Sequence, residues 1–384
     1  MAERAQRLLV AGVTTRPVAV SAARAGWTVT AADAFSDLDL LACADAPMPR
    51  VPGAHFEPSA VALAAQKISA EFVAYTSNFE NHPEAVAALA RGRRLLGNTP
   101  ATLRRVRDPL ELMRRFRALG FDTPATRATP PRTPLDRGRR WLLKPRRSGG
   151  GHGTCVWHPG HRVGRHQYLQ ERIPGLPGSV VFLADGREAH VLAISRQLVG
   201  RPEFGARGFR YCGSLMGPGL FPGEQALHRR AEALAAAVAR AFGLVGLNGV
   251  DFIARSGIAW PIEVNPRFSA SMELLEHGAD LSLFALHADA CAGRLPRRTT
   301  PTLNQVHGKA IVFARRAVTP RATRRWLTDA AMADIPRPGE RIARGRPICT
   351  VFATERDAES CTRALVAKAR SVYRTFEPAA RGAA

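Results

Sequence analysis

Two stretches of this 384-residue chain hold residue types at spacings that can do chemistry. The first runs from Asn248 to Arg267. Two β-rich runs flank a turn at Arg255, Ser256 and Gly257, which predicts a hairpin. Side chains alternate faces along a strand, so Glu263, Asn265 and Arg267 share one face of the second run. With the turn centred on Gly257, Asp251 falls opposite Glu263. Two carboxylates and an amide oxygen at one end of a hairpin make a hard-oxygen site suited to Mg²⁺, whose charge relieves the repulsion between the acids. The competing reading is a charged hairpin edge with a chance asparagine.

The second stretch begins at Lys144 and continues through Ser148, Gly149, Gly150, Gly151, His152, Gly153 and Thr154. Closely spaced glycines let backbone N–H groups approach an anion and form a concave nest for phosphate oxygens. No G-K-[ST] ends the loop, so it is not a Walker A motif. A flexible glycine hairpin is the bland alternative, and Lys144 argues against it. Only four of the 55 basic residues are lysine, at 67, 144, 309 and 368, so a lysine beside that loop departs from the chain's own habit. A compact ammonium there suits a phosphate.

Several elements must position these residues. Residues 7–13, 27–32 and 71–75 read as strands and 19–25, 60–70 and 82–90 as helices, an alternation that implies a parallel sheet covered on both faces. Gly12 follows the first strand without the further glycines of a dinucleotide fingerprint, so a Rossmann-like layer without NAD is expected. Residues 103–119 read as one helix closed by Gly120, and a polar, proline-rich loop is expected over 122–140. Strands are predicted at 141–144, 168–173, 179–184, 188–198, 309–315 and 347–353, with helices over 223–242 and near 355–376.

Composition sets outer limits. Hydrophobic residues make up 46% and charged residues 23%, ordinary globular values with enough apolar material for cores. No apolar run approaches the ~18–20 residues of a membrane span. Six scattered cysteines form no CxxC, which argues against structural zinc and a disulfide framework and for a reduced, cytoplasmic setting. The net charge of +23 raises nucleic acid as a partner, yet no stretch interleaves basic and aromatic residues as a single-strand groove would. A field that positive steers acidic small molecules or peptides instead.

Taken together, these motifs resemble the ATP-grasp superfamily of ATP-dependent carboxylate–amine ligases, along almost the whole chain. The resemblance implies a mixed α/β and α+β fold: a Rossmann-like domain over 1–97, an ATP-grasp domain of two subdomains over 98–300 holding ATP between them, and a small C-terminal α+β domain over 301–384. It implies ATP on Lys144, Ser148, Gly149, Gly150 and Gly151, with Gln170, Glu171 and Ile173 as the hinge that reads adenine. It implies Mg²⁺ or Mn²⁺ on Asp251, Glu263 and Asn265, with Arg267 as a catalytic arginine; Arg210, in the run from Arg207 to Gly213, is a candidate for the transferred phosphate or the substrate carboxylate, the alternative being a solvated strand arginine. The family's second phosphate lysine has no counterpart, its region holding Arg104, Arg105 and Arg107 instead. The family's ribose-binding acid is also missing, Asp185 and Glu188 being poor substitutes by spacing.

The implied reaction phosphorylates a carboxylate and lets an amine attack the acyl phosphate, releasing ADP and Pi. Small-molecule acid and amine substrates follow, an amino acid such as glutamate among them, with no membrane partner and with a homodimer left open. The stretch from Asp334 to Gly339 and on to Thr350 is similar to a tail of ATP-grasp proteins near one-carbon cofactor biosynthesis, the tyramine–glutamate ligases of the methanofuran type included. A nucleotide-binding regulator with a ligase-like fold, and more remotely a nucleic-acid-binding protein, are the rival readings.

Overall fold

The computed structural model describes residues 6–45, 56–130, 138–296 and 301–376. Part of the loop expected over 122–140 therefore lies outside the described residues. Strands β1 (Arg7–Gly12), β2 (Thr28–Asp33), β3 (Phe72–Tyr75) and β4 (Arg94–Leu96) form a parallel sheet in the order β2-β1-β3-β4. Because β1 is flanked by β2 on one side and β3 on the other, the connections diverge at the carboxyl ends of β1 and β3. Such a switch point opens a crevice where α/β sheets take ligands. The ends of β1 and β3 pack closely there: a Cβ on Gly12 would lie 1.7 Å from Thr76 Oγ1.

A second, antiparallel sheet contains β5 (Thr126–Arg127), β6 (Trp141–Pro145), β7 (Cys155–Val156) and β8 (Gln167–Glu171) in the order β5-β8-β6-β7. The glycine stretch links β6 to β7. The largest sheet runs β13-β12-β9-β10-β11-β14-β16-β15. Its strands are β9 (Leu176–Asp185), β10 (Ala189–Val199), β11 (Tyr211–Met216), β12 (Val245–Arg255), β13 (Ile258–Asn265), β14 (Val306–Phe313), β15 (Met332–Ala333) and β16 (Pro347–Glu355). Residues 306–355 thus extend this sheet rather than forming one of their own among the described residues.

Period-2 alternation gives that sheet two different faces. Val180 and Phe182 of β9 pack with Leu227, Ala231, Leu234, Val238 and Phe242 of the helix Glu224–Phe242. Those helix positions recur every three to four residues, so one stripe is apolar. Gly243, at φ 65°, ends the helix in the left-handed region that glycine enters without strain. Val181 and Leu183 face the opposite way and join Leu8, Val10, Met272 and Phe284 in a second core. On this second face the register sets Glu263, Asp251, Ser179 and Ser195 side by side across four strands.

The sequence-predicted helix over 103–119 is two helices, Pro100–Val106 and Pro109–Ala118. Pro109 has no N–H to continue the first. Asp108 caps the second, its carboxylate accepting from Leu110 and Glu111 N–H. The break turns Arg107 inward, toward the cleft between the sheets.

A buried ion network ties the first sheet's layer to the largest sheet. Glu273 accepts from Arg16 through one carboxylate oxygen (2.5 Å) and from Lys309 through the other (2.6 Å), and all three are at least nine-tenths buried. Arg16 Nε also donates to Asp334 Oδ1 at 2.7 Å and lies 3.3 Å from Asp39. Burial would raise the Glu273 pKa, but Arg16 and Lys309 together hold it far below its ordinary value of 4.5. Removing this carboxylate leaves two buried cations facing each other. Glu273→Ala should therefore cost about 3–5 kcal/mol in a urea titration at pH 7. Glu273 titrates lower in the folded chain than in the unfolded one, so its contribution is full above pH 4.5 and falls away in acid. The gap between wild type and variant should shrink on acidification, and a loss under 1 kcal/mol at pH 7 would contradict the network's role.

Candidate active site

The three sheets and the β1 and β3 ends surround a cavity of about 1410 Å³. Among its lining residues are Arg107, Lys144, Ser148, Gly149, Gly150, Gly151, Gln170, Glu171, Ile173, Asp251, Glu263, Asn265 and Arg267. Every residue the sequence nominated for ATP and metal is thus on one wall set. Arg210 is not among the lining residues. Its guanidinium stacks on Phe313, 3.7 Å from the ring centroid, close enough to Arg346 that burial and this neighbour lower its pKa.

The hairpin pairs as the spacing predicts: Asp251 lies directly across from Glu263, with a register shift just beyond at Phe252. Burial first, then Glu263, push the Asp251 pKa up to about 7. Burial acts on Glu263 in the same sense, but Arg107 and Lys144 outweigh it and hold its pKa below normal. Arg107 NH1 is 3.8 Å from Glu263. The two acids therefore share a site in which one proton resolves the repulsion, and a divalent cation ligated by both and by Asn265 Oδ1 would resolve it equally. The donor set, all oxygen, fits Mg²⁺ or Mn²⁺. Among the described residues no group of three or more His, Cys, Asp and Glu gathers as a metal centre, so this pair would need Asn265 as its third protein ligand.

Lys144 reaches this pair from β6. Its Nζ donates to Gln170 Oε1 at 3.0 Å and sits 5.8 Å from the Tyr168 ring centroid. Burial would depress its pKa, but Tyr168 and Glu263 more than offset that, so it stays charged. Gln170, 2% exposed, orients the lysine with its side chain. The carboxylate of Glu171 accepts from Ala125 N–H at 3.1 Å and from Arg139. The side chains of Gln170 and Glu171 thus brace this edge of the cavity wall.

The glycine loop folds over the cleft as a lid. Ser148 Oγ donates to the His152 carbonyl at 2.6 Å, and Tyr211 N–H donates to the Gly150 carbonyl at 3.0 Å. Gly151 has φ 74°, and a Cβ there would lie 1.9 Å from the Phe209 carbonyl oxygen, so only glycine permits the close approach. Arg107 pins the lid's start by donating to Ser148 O at 3.0 Å while also reaching Val264 O at 2.9 Å and Asn81 Oδ1 at 2.9 Å. Arg104 pairs with exposed Glu84 instead, and Arg105 with the Ala241 carbonyl. Of the three arginines, Arg107 alone lines the cavity.

Sequence reasoning missed Glu80, Asn81, Lys309 and Asp334. Lys309 carried a signal: it breaks the arginine habit as Lys144 does, and both lysines line this cavity. Glu80 carried none, since its partner Arg267 lies 187 residues away.

A family model described as an ATP-grasp domain matches residues 106–271. An uncharacterised protein of Methanocaldococcus jannaschii is 28% identical over 120 residues, 31% of this chain and 28% of that one. N5-carboxyaminoimidazole ribonucleotide synthetase from Thermus thermophilus superposes with a TM-score of 0.67 at 19% identity, covering 97% of this chain and 99% of that one. An L-amino acid ligase from Bacillus licheniformis gives 0.67 at 15%, covering 97% and 98%. A pyruvate carboxylase from Rhizobium etli gives 0.73 at 15%, and the match covers 97% of this chain and 37% of that one. The chain thus spans about a quarter of its curated relative and about a third of that carboxylase. Residues 106–271 thus match the ATP-grasp domain, and the superposed structures share the chain's fold over almost its whole length. No helix among the described residues is long and apolar enough to cross a membrane.

A proton on Asp251 competes with a metal ion for the same oxygens. Without nucleotide, Mg²⁺ affinity should therefore rise as pH climbs through about 7, falling about tenfold per unit below it. Calorimetric titration at pH 6 and pH 8 checks this, and a pH-independent affinity would contradict the shared site.

Proposed function

We propose that the protein joins a carboxylate to an amine through an acyl phosphate, releasing ADP and Pi. The reading rests on one observation. Lys144, Arg107, the glycine lid and the opposed Asp251–Glu263 pair converge on a single cavity that also opens toward the β1–β3 switch point. A phosphate donor and a second substrate can meet there.

In this reading ATP lies between the second sheet and the largest one, within the 98–300 segment we assign as the ATP-grasp domain, flanked by 1–97 and 301–384. Lys144 and Arg107 hold its phosphates, Arg107 filling the role left by the absent second lysine. The lid excludes water, so the reactive phosphoryl group meets the carboxylate and not a hydroxide. A divalent cation on Asp251, Glu263 and Asn265 supplies charge neutralisation at the phosphate oxygens when bound. The carboxylate oxygen attacks the γ-phosphorus and ADP leaves. The amine nitrogen then attacks the acyl carbon and Pi leaves. Arg267, buried at the end of β13 and drawn to the acid pair, is placed to steady the oxyanion between those steps. Arg210, stacked away from the cavity wall, has no part in this account.

An amino acid such as glutamate is our proposed carboxylate. The basic balance supports it, as does the likeness to the amino acid ligase. The tail from Asp334 to Thr350, which lines the cavity through both of those residues, supports a place in one-carbon cofactor (methanofuran-type) biosynthesis. The test is ADP release from Mg-ATP with a panel of amino acids and amines, L-glutamate with tyramine included. Release should require one acid–amine pair, and Glu263→Ala should lower it at least a hundredfold. ATP binding with no stimulated release would favour the regulator, and a steep salt dependence of binding to nucleic acid would favour the other rival.

A further inference from the structure

Glu80 sits where the first sheet meets the cavity, in the short turn Phe79–Asn81 that follows β3. It is 1% exposed and lines the cavity wall. One oxygen, Oε1, accepts from Arg267 NH2 at 2.8 Å. The other, Oε2, is buried and has no hydrogen-bond partner among the described residues. Arg267 mirrors this: NH1 donates to the Phe268 carbonyl at 3.0 Å, while its buried Nε has no partner among the described residues. Native structures leave few buried polar atoms unsatisfied, since each costs about 1–3 kcal/mol, so two on one ion pair call for an explanation.

The two open positions are complementary. One is an acceptor on a carboxylate, and the other is a donor on a guanidinium. A forming amide needs both, because its oxygen gathers negative charge while its nitrogen carries protons to be shed. The neighbours fit this placing. Arg267 lies near Glu263 and Asp251 at the phosphate end, whereas Glu80 looks out from the switch-point side beside Thr76, Ser77 and Asn78.

We propose that Glu80 is the site for the acceptor's amino group, an inference that rests on the ligase reading above. Oε2 accepts from the incoming ammonium, removes its proton to give the nucleophilic amine, and passes that proton to solvent or to the departing phosphate. The acceptor is therefore a primary amine that is protonated when it binds. It approaches from the first sheet's side of the cavity, opposite the acyl phosphate.

The test separates the two half-reactions. Each of the twenty standard L-amino acids is offered as carboxylate with Mg-ATP, against either hydroxylamine or a protonated amine (tyramine, or the same amino acids). Hydroxylamine is largely neutral at pH 7 and needs no base, so it traps the acyl phosphate as a hydroxamate. Glu80→Gln should keep hydroxamate formation within about threefold of wild type, yet lower amide formation at least a hundredfold. Its remaining amide activity should rise with pH as free amine accumulates. Glu80→Asp, which keeps the carboxylate, should recover part of the loss. Equal loss of both products would overturn the proposal and leave Glu80 as a prop for Arg267. So would no loss of either. Hydroxamate without amide from any of these amines in the wild type would also overturn it. If the wild type makes neither product with any acid, the ligase reading itself fails, and this inference with it.

Discussion

The site depends on how two carboxylates are held across a hairpin inside a protein. Asp251 and Glu263 face each other on the cavity wall, where each would raise the other's proton affinity. The asymmetry comes from their surroundings. Arg107 and Lys144 approach Glu263 and keep it ionised, whereas Asp251, with Ser179 beside it in the next strand, carries the repulsion and the burial. Lys144 in turn stays charged because those acids face it. The lid's start is fixed by Arg107, which also touches the hairpin backbone. Arg107, Lys144, Asp251 and Glu263 are therefore one electrostatic unit, with the glycine loop fastened to it through Arg107.

That unit needs a rigid wall, which the largest sheet provides by burying opposite faces in two separate cores. The same sheet carries Lys309 to the far end of the cavity. There Glu273 binds it to Arg16 of the first layer, and Asp334 and Thr350 close the corner through a side-chain hydrogen bond. Charge thus fastens the layers where an apolar contact would have sealed the cavity. A buried ion pair is seldom the most stable solution. Here it leaves the polar groups of Lys309, Asp334 and Thr350 on the cavity wall.

Much of this was legible in the sequence, for reasons of range. The Asp251–Glu263 pairing follows from strand periodicity and a short turn, both local, so spacing alone located it. Lys144 stood out against the arginine bias, and the glycines announced a close backbone approach. Arg107 was readable as a basic residue in the right region, but its inward direction came from the Asp108–Pro109 break, which the helical periodicity over 103–119 conceals. Arg210 looked like a phosphate ligand by type and turned out to stack on Phe313, a partner far away in the chain. Glu80 and Lys309 owe their places to contacts between layers, and no local pattern records those.

The central claim is that a carboxylate oxygen becomes bonded to phosphorus. It is tested most directly by supplying the carboxylate substrate with both oxygens labelled as ¹⁸O and analysing the released phosphate by mass spectrometry. One labelled oxygen should appear in Pi for each amide formed, because the acyl C–O bond breaks after the P–O bond has formed. Pi free of label, with amide still produced, would mean that the acid is activated some other way and would contradict the account.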